Sequence, residues 1–182
     1  TLTMCSLTFL RGSTPTTPAF KTFDFTNESL ALSKNNIRSN TVASSRVVKS
    51  SRATSAQTGG SINFEMTKAA ELEQLLESLA GNAWASNVLK MGGTVVDTYT
   101  IERALAVGSM YRRFVGSRIG SLDLTIQPEQ FISGAFGIVG SAEASATAAI
   151  AGSTYAAAAT AAKLTSLDTL AVTATGIAGT FD

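Results

Sequence analysis

The residues that could do acid–base chemistry are few, and they lie in strand-like stretches of the sequence. Glu102-Arg103, Asp97 and Asp123 are the candidates, because a carboxylate can act as a general acid or base. The sequence has no histidine, the side chain most used for proton transfer at neutral pH and a frequent metal ligand. Cys5 is the only cysteine, and its place in an irregular N-terminal stretch argues against a catalytic thiol. We therefore expect solvated or cross-strand paired carboxylates, and no enzyme, cofactor or metal site.

The glycines of "GAFGIVG" are the second group with a chemical interpretation. Gly134, Gly137 and Gly140 recur every three residues, which is not the spacing of a dinucleotide-binding fingerprint. They also lie inside a strand-like run instead of at a turn from strand to helix. Glycines in strands usually mark close packing or a bulge, and we favour that interpretation over a phosphate site.

The stretch "MYRRFVGSR" interleaves basic and aromatic residues. Arg112, Arg113 and Arg118 could neutralise a nucleic-acid backbone while Tyr111 and Phe114 stack on bases. The alternative is an ordinary strand, with Tyr111 and Arg113 on one face and Arg112 and Phe114 on the other, Phe114 pointing inward. We favour the strand, because the chain has 14 basic and 13 acidic residues and lacks the basic surplus of a dedicated binder.

A basic run without acidic residues is the strongest electrostatic feature. It extends from Lys34 to Thr58. Three interpretations compete: a solvated loop, a nucleic-acid contact, and a surface that meets an acidic patch on another copy. Segregated charges on a nearly neutral chain suit head-to-tail stacking, so we favour self-assembly. The candidate contact residues are Arg46, Lys49 and Arg52 on the basic side and Glu71, Glu73 and Glu77 on the acidic side.

The composition limits the class of protein to which this chain can belong. With 182 residues the chain is long enough for one domain with a core and extensions. Hydrophobic residues make up 45% and charged residues 15%, so the surface must be rich in small residues, which suits contact with other protein. No apolar stretch approaches the roughly 20 residues of a membrane span. The opening "LTMCSLTFL" is short and lacks a basic region, so we expect no signal peptide.

One helix is predicted, directly after a strand. In "SINFEMTKAAELEQLLESLAGNAW" the apolar residues first alternate and then follow a helical spacing. Thr67 is the expected N-cap, Gly81 is placed for a left-handed C-cap, and the helix should run over about 67–80. Its apolar stripe should pack on a sheet; the stripe consists of Leu72, Leu75, Leu76 and Leu79.

Alternating patterns elsewhere predict strands around the helix. Strands are expected in 20–32, 95–105, 110–115, 117–126 and 131–139. Val47 and Val48 indicate half of a long hairpin with its tip near "TSAQTGG". Pro15 and Pro18 favour an extended N-terminal arm outside the core.

The predicted division has three parts. Residues 1–19 are an N-terminal arm, 20–141 the β-sandwich domain, and 142–182 an Ala/Ser/Thr-rich C-terminal arm of extended or irregular backbone. Within the last part, "LDTLAVTATGIAGTF" predicts one more strand.

An ordered series of segments resembles the tail tube, or major tail, proteins of long-tailed bacteriophages. The segments are "STPTTPAF", "FTNESLALSKNNIRSN", "GGSINFEMT", "LLESLAGNAW", "TYTIERAL", "YRRFVGSRIGSLDLTI" and "SGAFGIVG". The resemblance implies a mainly β, sandwich or barrel-like fold with one flanking helix, a long hairpin, and arms that order only in the assembly.

The resemblance also implies a function without catalysis. Such proteins form six-fold or pseudo-six-fold rings, stacked around a tape-measure protein and joined to tail-end proteins, and DNA later passes through the bore. We therefore expect a structural virion protein, assembled in the host bacterial cytoplasm, with no membrane partner. The alternative is a β-sandwich binding module for capsid decoration or host-surface adhesion.

Overall fold

The structure is a computed structural model that describes residues 5–12, 18–39, 51–105 and 110–168. In these residues the chain forms mostly strands, with one α-helix and one 3₁₀ turn. In chain order the elements are β1 (Cys5–Arg11), β2 (Ala19–Phe23), β3 (Asn27–Glu28), β4 (Ala31–Arg38), β5 (Ser51–Glu65), α1 (Ala70–Ala80), β6 (Tyr99–Leu105), β7 (Met110–Thr125), β8 (Ser133–Gly140), β9 (Ala142–Ala146), β10 (Thr154–Tyr155) and the 3₁₀ turn Ser166–Asp168.

The described strands form a single bent sheet. Their order is β10-β2-β1-β6-β7-β8-β5-β3, with β4 added to β5 and β9 added to β7. The pairs are antiparallel except β10 with β2. The first half of β7 pairs with β6 and β9, and its second half pairs with β8. Gly116 lies between the halves with φ +65°, a left-handed conformation that glycine adopts at little cost.

The two halves of the sheet face each other across one hydrophobic core. Phe9 and Ile101 come from one half, and Phe64 and Phe136 come from the other, where their rings stack at 4.7 Å. The predicted mainly β sandwich is confirmed, and the described strands do not close into a barrel. The buried cluster consists of Leu7, Phe9, Phe23, Leu30, Ile62, Phe64, Leu72, Leu75, Tyr99, Ile101, Phe114, Phe136 and Ile138.

The single helix flanks the sandwich as expected. Leu72 and Leu75 of α1 are buried in the core cluster, and Leu76 packs against it. Gly81 ends the helix with φ +69°, and its N–H donates to the Glu77 carbonyl at 2.9 Å. A side chain at Gly81 would also collide with the backbone of Gly93. Both the left-handed φ and this close contact therefore favour glycine at position 81.

The start of the helix differs from the expectation. Ala69, without a capping side chain, is the N-cap, and Thr67 instead forms an isolated bridge with Lys163. The Thr67 prediction is therefore wrong. The strand before the helix extends its pairing to the C-terminal segment, and this moves the helix start two residues along the chain.

The expectation of an N-terminal arm is wrong for residues 5–11. They form β1, which lies between β2 and β6 in the sheet, and Leu7 and Phe9 are buried. Two apolar side chains on the inner face of a strand remove enough surface from water to fix it in the core. Of the prolines that suggested an arm, Pro18 directly precedes β2, and Pro15 lies outside the described residues.

The long hairpin exists, but its turn is not where the sequence placed it. β4 pairs with β5 from Ala31↔Gly59 to Arg38↔Ser51, so the connection runs through residues 39–50. "TSAQTGG" therefore lies inside β5, and the prediction of the tip there is wrong. Val47 and Val48 are outside the described residues.

The last strands of the sandwich also depart from the predicted division. Stretches 110–115 and 117–126 form the one continuous strand β7 up to Thr125, with Gly116 absorbing the bend. The predicted Ala-rich arm has extended and irregular backbone, as expected, but it pairs with the chain's own sheet. β9 pairs with β7, β10 pairs with β2, and Thr165 bridges to Phe131. The expectation that this arm orders only in an assembly is therefore wrong for the described residues 142–168, and the final predicted strand lies largely outside the described residues.

Candidate assembly surface

The basic hairpin is exposed along the length that extends beyond the core. The described hairpin cations are Lys34, Arg38 and Arg52, and the two strands carry no acidic residue there. Every described side chain from Ser51 to Gln57 is exposed. Arg46 and Lys49 lie outside the described residues, and Arg52 is placed beside Ile37 on the neighbouring strand. The described part of the hairpin is therefore exposed and positively charged.

The predicted acidic face of α1 is only partly available. Glu71, Glu73 and Glu77 are half-buried. The Glu77 carboxylate accepts the backbone N–H of Trp84 at 3.0 Å, and the Glu73 carbonyl accepts the indole N–H of Trp84 at 3.3 Å. Within the described residues no ion pair joins these glutamates to the hairpin. Of the predicted basic set only Arg52 is described, and it is not ion-paired with these glutamates in the described part of the molecule.

Glu102, a candidate acid–base residue, is a structural ion-pair partner. Its side chain is 0% exposed, and one carboxylate oxygen accepts Arg113 Nε at 2.6 Å while the other accepts the Tyr155 hydroxyl at 2.6 Å. Arg113 is its cross-strand neighbour, so the predicted cross-strand pair is confirmed here. Burial, and then the hydrogen bond to Glu102, raises the pKa of Tyr155. A buried carboxylate with both oxygens occupied has no room for a substrate.

The other acid–base candidates divide into two ion-paired residues and one exposed carboxylate. Asp97 pairs with Arg11 at 2.7 Å, and this hydrogen bond raises the pKa of Arg11. Arg103 forms a half-buried ion pair with Glu28, while Asp123 is exposed on β7. Within the described residues no group of three His, Cys, Asp or Glu side chains is placed to hold a metal ion. None of the described helices is long and apolar enough to cross a membrane.

The basic-aromatic stretch of β7 follows the strand interpretation. Phe114 is buried in the core, as expected, with the Arg103 guanidinium 5.9 Å from its ring centre. Arg112 pairs with Glu143 and Arg113 with Glu102. Two of the three arginines proposed for nucleic acid are thus engaged in ion pairs within the fold.

The glycines of β8 allow neighbouring side chains to pack closely against the strand. A Cβ at Gly134 would meet the Phe64 ring, one at Gly137 would meet Ser121, and one at Gly140 would meet Thr58. The close-packing interpretation is therefore confirmed, and it explains how β8 lies flat between β5 and β7.

A cleft that the sequence did not reveal lies at the far end of β5. It has a volume of about 850 Å³ and is formed by three segments distant in sequence. Phe131 and Leu167 line it and are 51% and 91% exposed. The complete lining is Glu65, Pro128, Glu129, Gln130, Phe131, Ser133, Thr165, Ser166 and Leu167. No local pattern could have predicted it, because the lining residues meet only through tertiary pairing.

The cleft has an acidic rim. Glu65 and Glu129 belong to its lining, and Asp168 follows it directly. The Thr165 backbone N–H donates to Asp168 at 2.7 Å and its hydroxyl at 3.0 Å; these bonds lower the pKa of Asp168. The cleft therefore combines exposed apolar surface with negative charge, which suits a basic and apolar protein partner.

The chain belongs to the phage tail tube protein family, whose family model matches residues 7–181. The fold and the partnered polar groups agree with a structural protein, and the family places the chain in the tail of the virion with a tail tube role. The resemblance noted from the sequence is thereby confirmed. No curated protein sequence matches the chain.

Solved structures show the same fold at low sequence identity. The SPP1 tail tube protein has a TM-score of 0.54 and 9% identity, over 77% of this chain and 76% of that one. A chain from the sheath/tube terminator of the extracellular contractile injection system PVC, in the extended state, has a TM-score of 0.53 and 10% identity, over 80% and 95%. A chain from the anti-feeding prophage baseplate has a TM-score of 0.52 and 9% identity, over 80% and 94%.

Proposed function

We propose that copies of this chain assemble into stacked rings, six-fold or pseudo-six-fold, that build the hollow tail tube. The tube would enclose a tape-measure protein during assembly, bind tail-end proteins at its termini and conduct the genome without sequence-specific DNA contacts. The activity of the chain would then be its geometry, with no catalytic step. Family membership and the tube and baseplate assemblies of the structural neighbours support this proposal.

The exposed hairpin is the observation that carries the proposal. A two-stranded ribbon without a buried face is marginal in water, because it gains too little apolar burial to offset the cost of ordering its backbone. The described ends of β4 and β5 have exposed side chains on both faces. A neighbouring copy that covers the hairpin would supply the missing contacts.

Charge provides the second support. The hairpin is basic, and an acidic surface on the next copy would attract it and fix its register. The sequence suggests Arg46, Lys49 and Arg52 on one side and Glu71, Glu73 and Glu77 on the other. A contact between different surfaces of two copies repeats indefinitely unless it closes, which is the requirement for a tube of stacked rings.

The proposal predicts that charge reversal at Arg46, Lys49 and Arg52 shortens tubes. We expect the mean tube length in negative-stain electron microscopy to fall about fivefold or more, because like charges would now face each other. The free energy of unfolding of the monomer should change by less than about 0.5 kcal/mol, since Arg52 is exposed and the three positions lie outside the hydrophobic core cluster of the described residues.

A matched control distinguishes the effect of where the reversed charges lie from the effect of the change in net charge. Lys68, Lys90 and Arg118 are exposed cations outside the hairpin, and their reversal to Glu changes the net charge equally. Tubes of normal length from this control, with short tubes from the hairpin variant, support the proposal. If the unaltered protein stays a monomer at every concentration tested, the chain is instead a binding module.

A further inference from the structure

A segment in the C-terminal part of the chain covers one edge of the sheet. We call residues 154–165 the strap. The strap begins with the two-residue strand β10 beside β2, and it ends at Thr165, which bridges to Phe131 just before β8. Without the strap, β2 would be the last strand at this end of the described sheet. The strap therefore occupies an edge that would otherwise be bare.

Backbone and aromatic contacts attach the first end of the strap. The Thr154 N–H donates to the Pro18 carbonyl at 2.9 Å. The Ala156 N–H donates to the Phe20 carbonyl, also at 2.9 Å. The Tyr155 ring stacks on Phe20, which is 1% exposed although it lies outside the core cluster. The strap thus takes up outward hydrogen-bonding groups of β2 and shields an apolar side chain on that strand.

The rest of the strap contributes little apolar burial. Residues 156–162 are alanines except for Thr160, and none of them is fully buried. A methyl side chain removes little surface from water. At the far end, Lys163 pairs with Asp24 at 3.5 Å, and the Leu164 N–H donates to the Met66 carbonyl at 2.8 Å. The strap is therefore held by a few bonds at its two ends and only weakly by apolar packing between them.

The strand β2 has other contacts that hold it in the sheet when the strap leaves. It also pairs with β1, and Phe23 of β2 is buried in the core cluster. Glu102, which accepts the Tyr155 hydroxyl, keeps its second partner Arg113 at 2.6 Å. Segments with few buried apolar contacts open locally at a smaller cost in free energy than the whole fold. The strap can thus open while β2 stays in place.

We propose that the strap is an autoinhibitory cover, which must leave β2 before a second copy adds a strand to this edge. A bare edge strand presents unpaired backbone groups that pair readily with another chain. In the free subunit the strap fills this place from within the same chain, so it competes with the second copy. The inference rests on the proposed function and adds a step that controls when copies join. Free subunits stay apart until pairing with a neighbour outweighs the contacts of the strap.

A disulfide across the cover tests the inference. Ala19 and Thr154 are register partners on β2 and β10, and both are exposed. Ala19→Cys and Thr154→Cys are combined in a Cys5→Ser background, and a non-reducing peptide map confirms the bond before assembly. We expect the oxidised subunit to form at least about tenfold fewer tubes by sedimentation and negative-stain electron microscopy, because the open state is no longer populated. Dithiothreitol should restore the tubes.

The matched control places the same bond where no opening is proposed. Ser6 and Ala104 are register partners on β1 and β6, in the same half of the sheet. Ser6→Cys with Ala104→Cys, in the same background, should form tubes equally well when oxidised and when reduced. Normal tubes from the oxidised variant at Ala19 and Thr154 would overturn the inference and leave the proposed function intact. Absence of tubes from the unaltered protein would instead reject the proposed function.

Weakening the cover should have the opposite effect. Tyr155→Phe keeps the ring on Phe20 but loses the bond to Glu102, so a larger fraction of free subunits has an open strap. We expect the lag before tubes appear to shorten about fivefold at equal protein concentration. Ile101→Val, a core change that costs stability without touching the strap, should not shorten the lag. A longer lag for Tyr155→Phe would mean that the strap supports assembly, and would overturn the inference.

Hydrogen exchange of the free subunit, followed by NMR, measures the opening itself. The Thr154 and Ala156 amides should exchange at least about a hundredfold faster than the amides of β1 that pair with β6, because local opening releases only the strap. Equal protection of the two sets would mean that the strap opens only with the whole fold, and this result would also overturn the inference.

Discussion

At the scale of single residues, Glu102 shows what a buried carboxylate does in this fold. Burying an ionised group is costly unless its oxygens are paired, and Glu102 meets this requirement with Arg113 and Tyr155. Arg113 is on β7, whereas Tyr155 is on β10, so the carboxylate ties the C-terminal segment to the sheet. Phe20 of β2 stacks on the Tyr155 ring at 5.4 Å and holds it in place.

Replacing Tyr155 by Phe should lower stability and change its dependence on pH. Loss of the bond to the buried Glu102 carboxylate should cost about 1–2 kcal/mol of unfolding free energy near neutral pH. Because the pKa of Tyr155 is raised in the folded state, its contribution is fully present below the unfolded pKa of 10.0 and is lost as pH rises above that value. The unaltered protein should therefore lose stability more steeply than Tyr155→Phe at high pH.

Urea unfolding from about pH 7 to pH 11 measures both effects. Tyr111→Phe, the same change on β7, is the control and should keep the steep alkaline loss. The pKa of Tyr99 is also raised, chiefly by burial, but both proteins contain it and its contribution cancels in the comparison. Parallel curves for the unaltered protein and Tyr155→Phe would contradict the assigned role.

At the scale of elements, the segment after β8 is part of the sandwich. β9 pairs with the first half of β7, β10 covers the edge of β2, and Glu143 on β9 pairs with Arg112. The backbone and ion-pair contacts are made within one molecule. The segment therefore stabilises the monomer before any assembly takes place.

Deleting residues 142–182 should destabilise the fold itself. The truncation removes Glu143, which pairs with Arg112, and the Tyr155 hydroxyl that donates to the buried Glu102 carboxylate. Leaving a buried carboxylate short of one hydrogen bond costs about 1–3 kcal/mol, and the pairing of β9 and β10 with the sheet is lost as well. We expect a clear loss of cooperative unfolding or a much lower midpoint in thermal denaturation followed by circular dichroism. Glu143→Gln, which keeps the strands, is the milder comparison. A truncated chain as stable as the full one would show that the segment contributes only to assembly.

At the scale of the whole molecule, charge is separated along the long axis of β5. The basic hairpin is at one end, and Glu65, Glu129 and Asp168 surround the cleft at the other. In the proposed function, a nearly neutral chain with this separation would attract its own copies end to end, with little net repulsion to oppose stacking.

Stacking should therefore weaken with salt. Raising NaCl from about 0.05 M to about 0.5 M shortens the Debye length from about 14 Å to about 4 Å and screens charges at the rim of the contact. We expect shorter tubes at high salt by sedimentation and electron microscopy. The variant with Arg46, Lys49 and Arg52 reversed should show a flat or opposite salt response. Longer tubes from the unaltered protein at high salt would mean that apolar contact alone drives stacking.

The sequence by itself determined the elements whose signals are local. Alternation predicted β2, the end of β5, β6, β7 and β8, the leucine stripe predicted α1, and Gly81 marked its end, because each pattern reports only which face of an element is apolar. The ordered series of segments also indicated the family. These features need no knowledge of which distant strands pair.

Only the tertiary structure decided which segments meet. It placed β1 in the core despite the prolines that follow, moved the hairpin turn, and paired β9 and β10 with their own sheet. It also assembled the cleft from Glu65, Phe131 and Leu167. The physical reason is that strand partners are chosen by long-range hydrogen bonding and shared burial, and many strands with one apolar face satisfy a local pattern equally well.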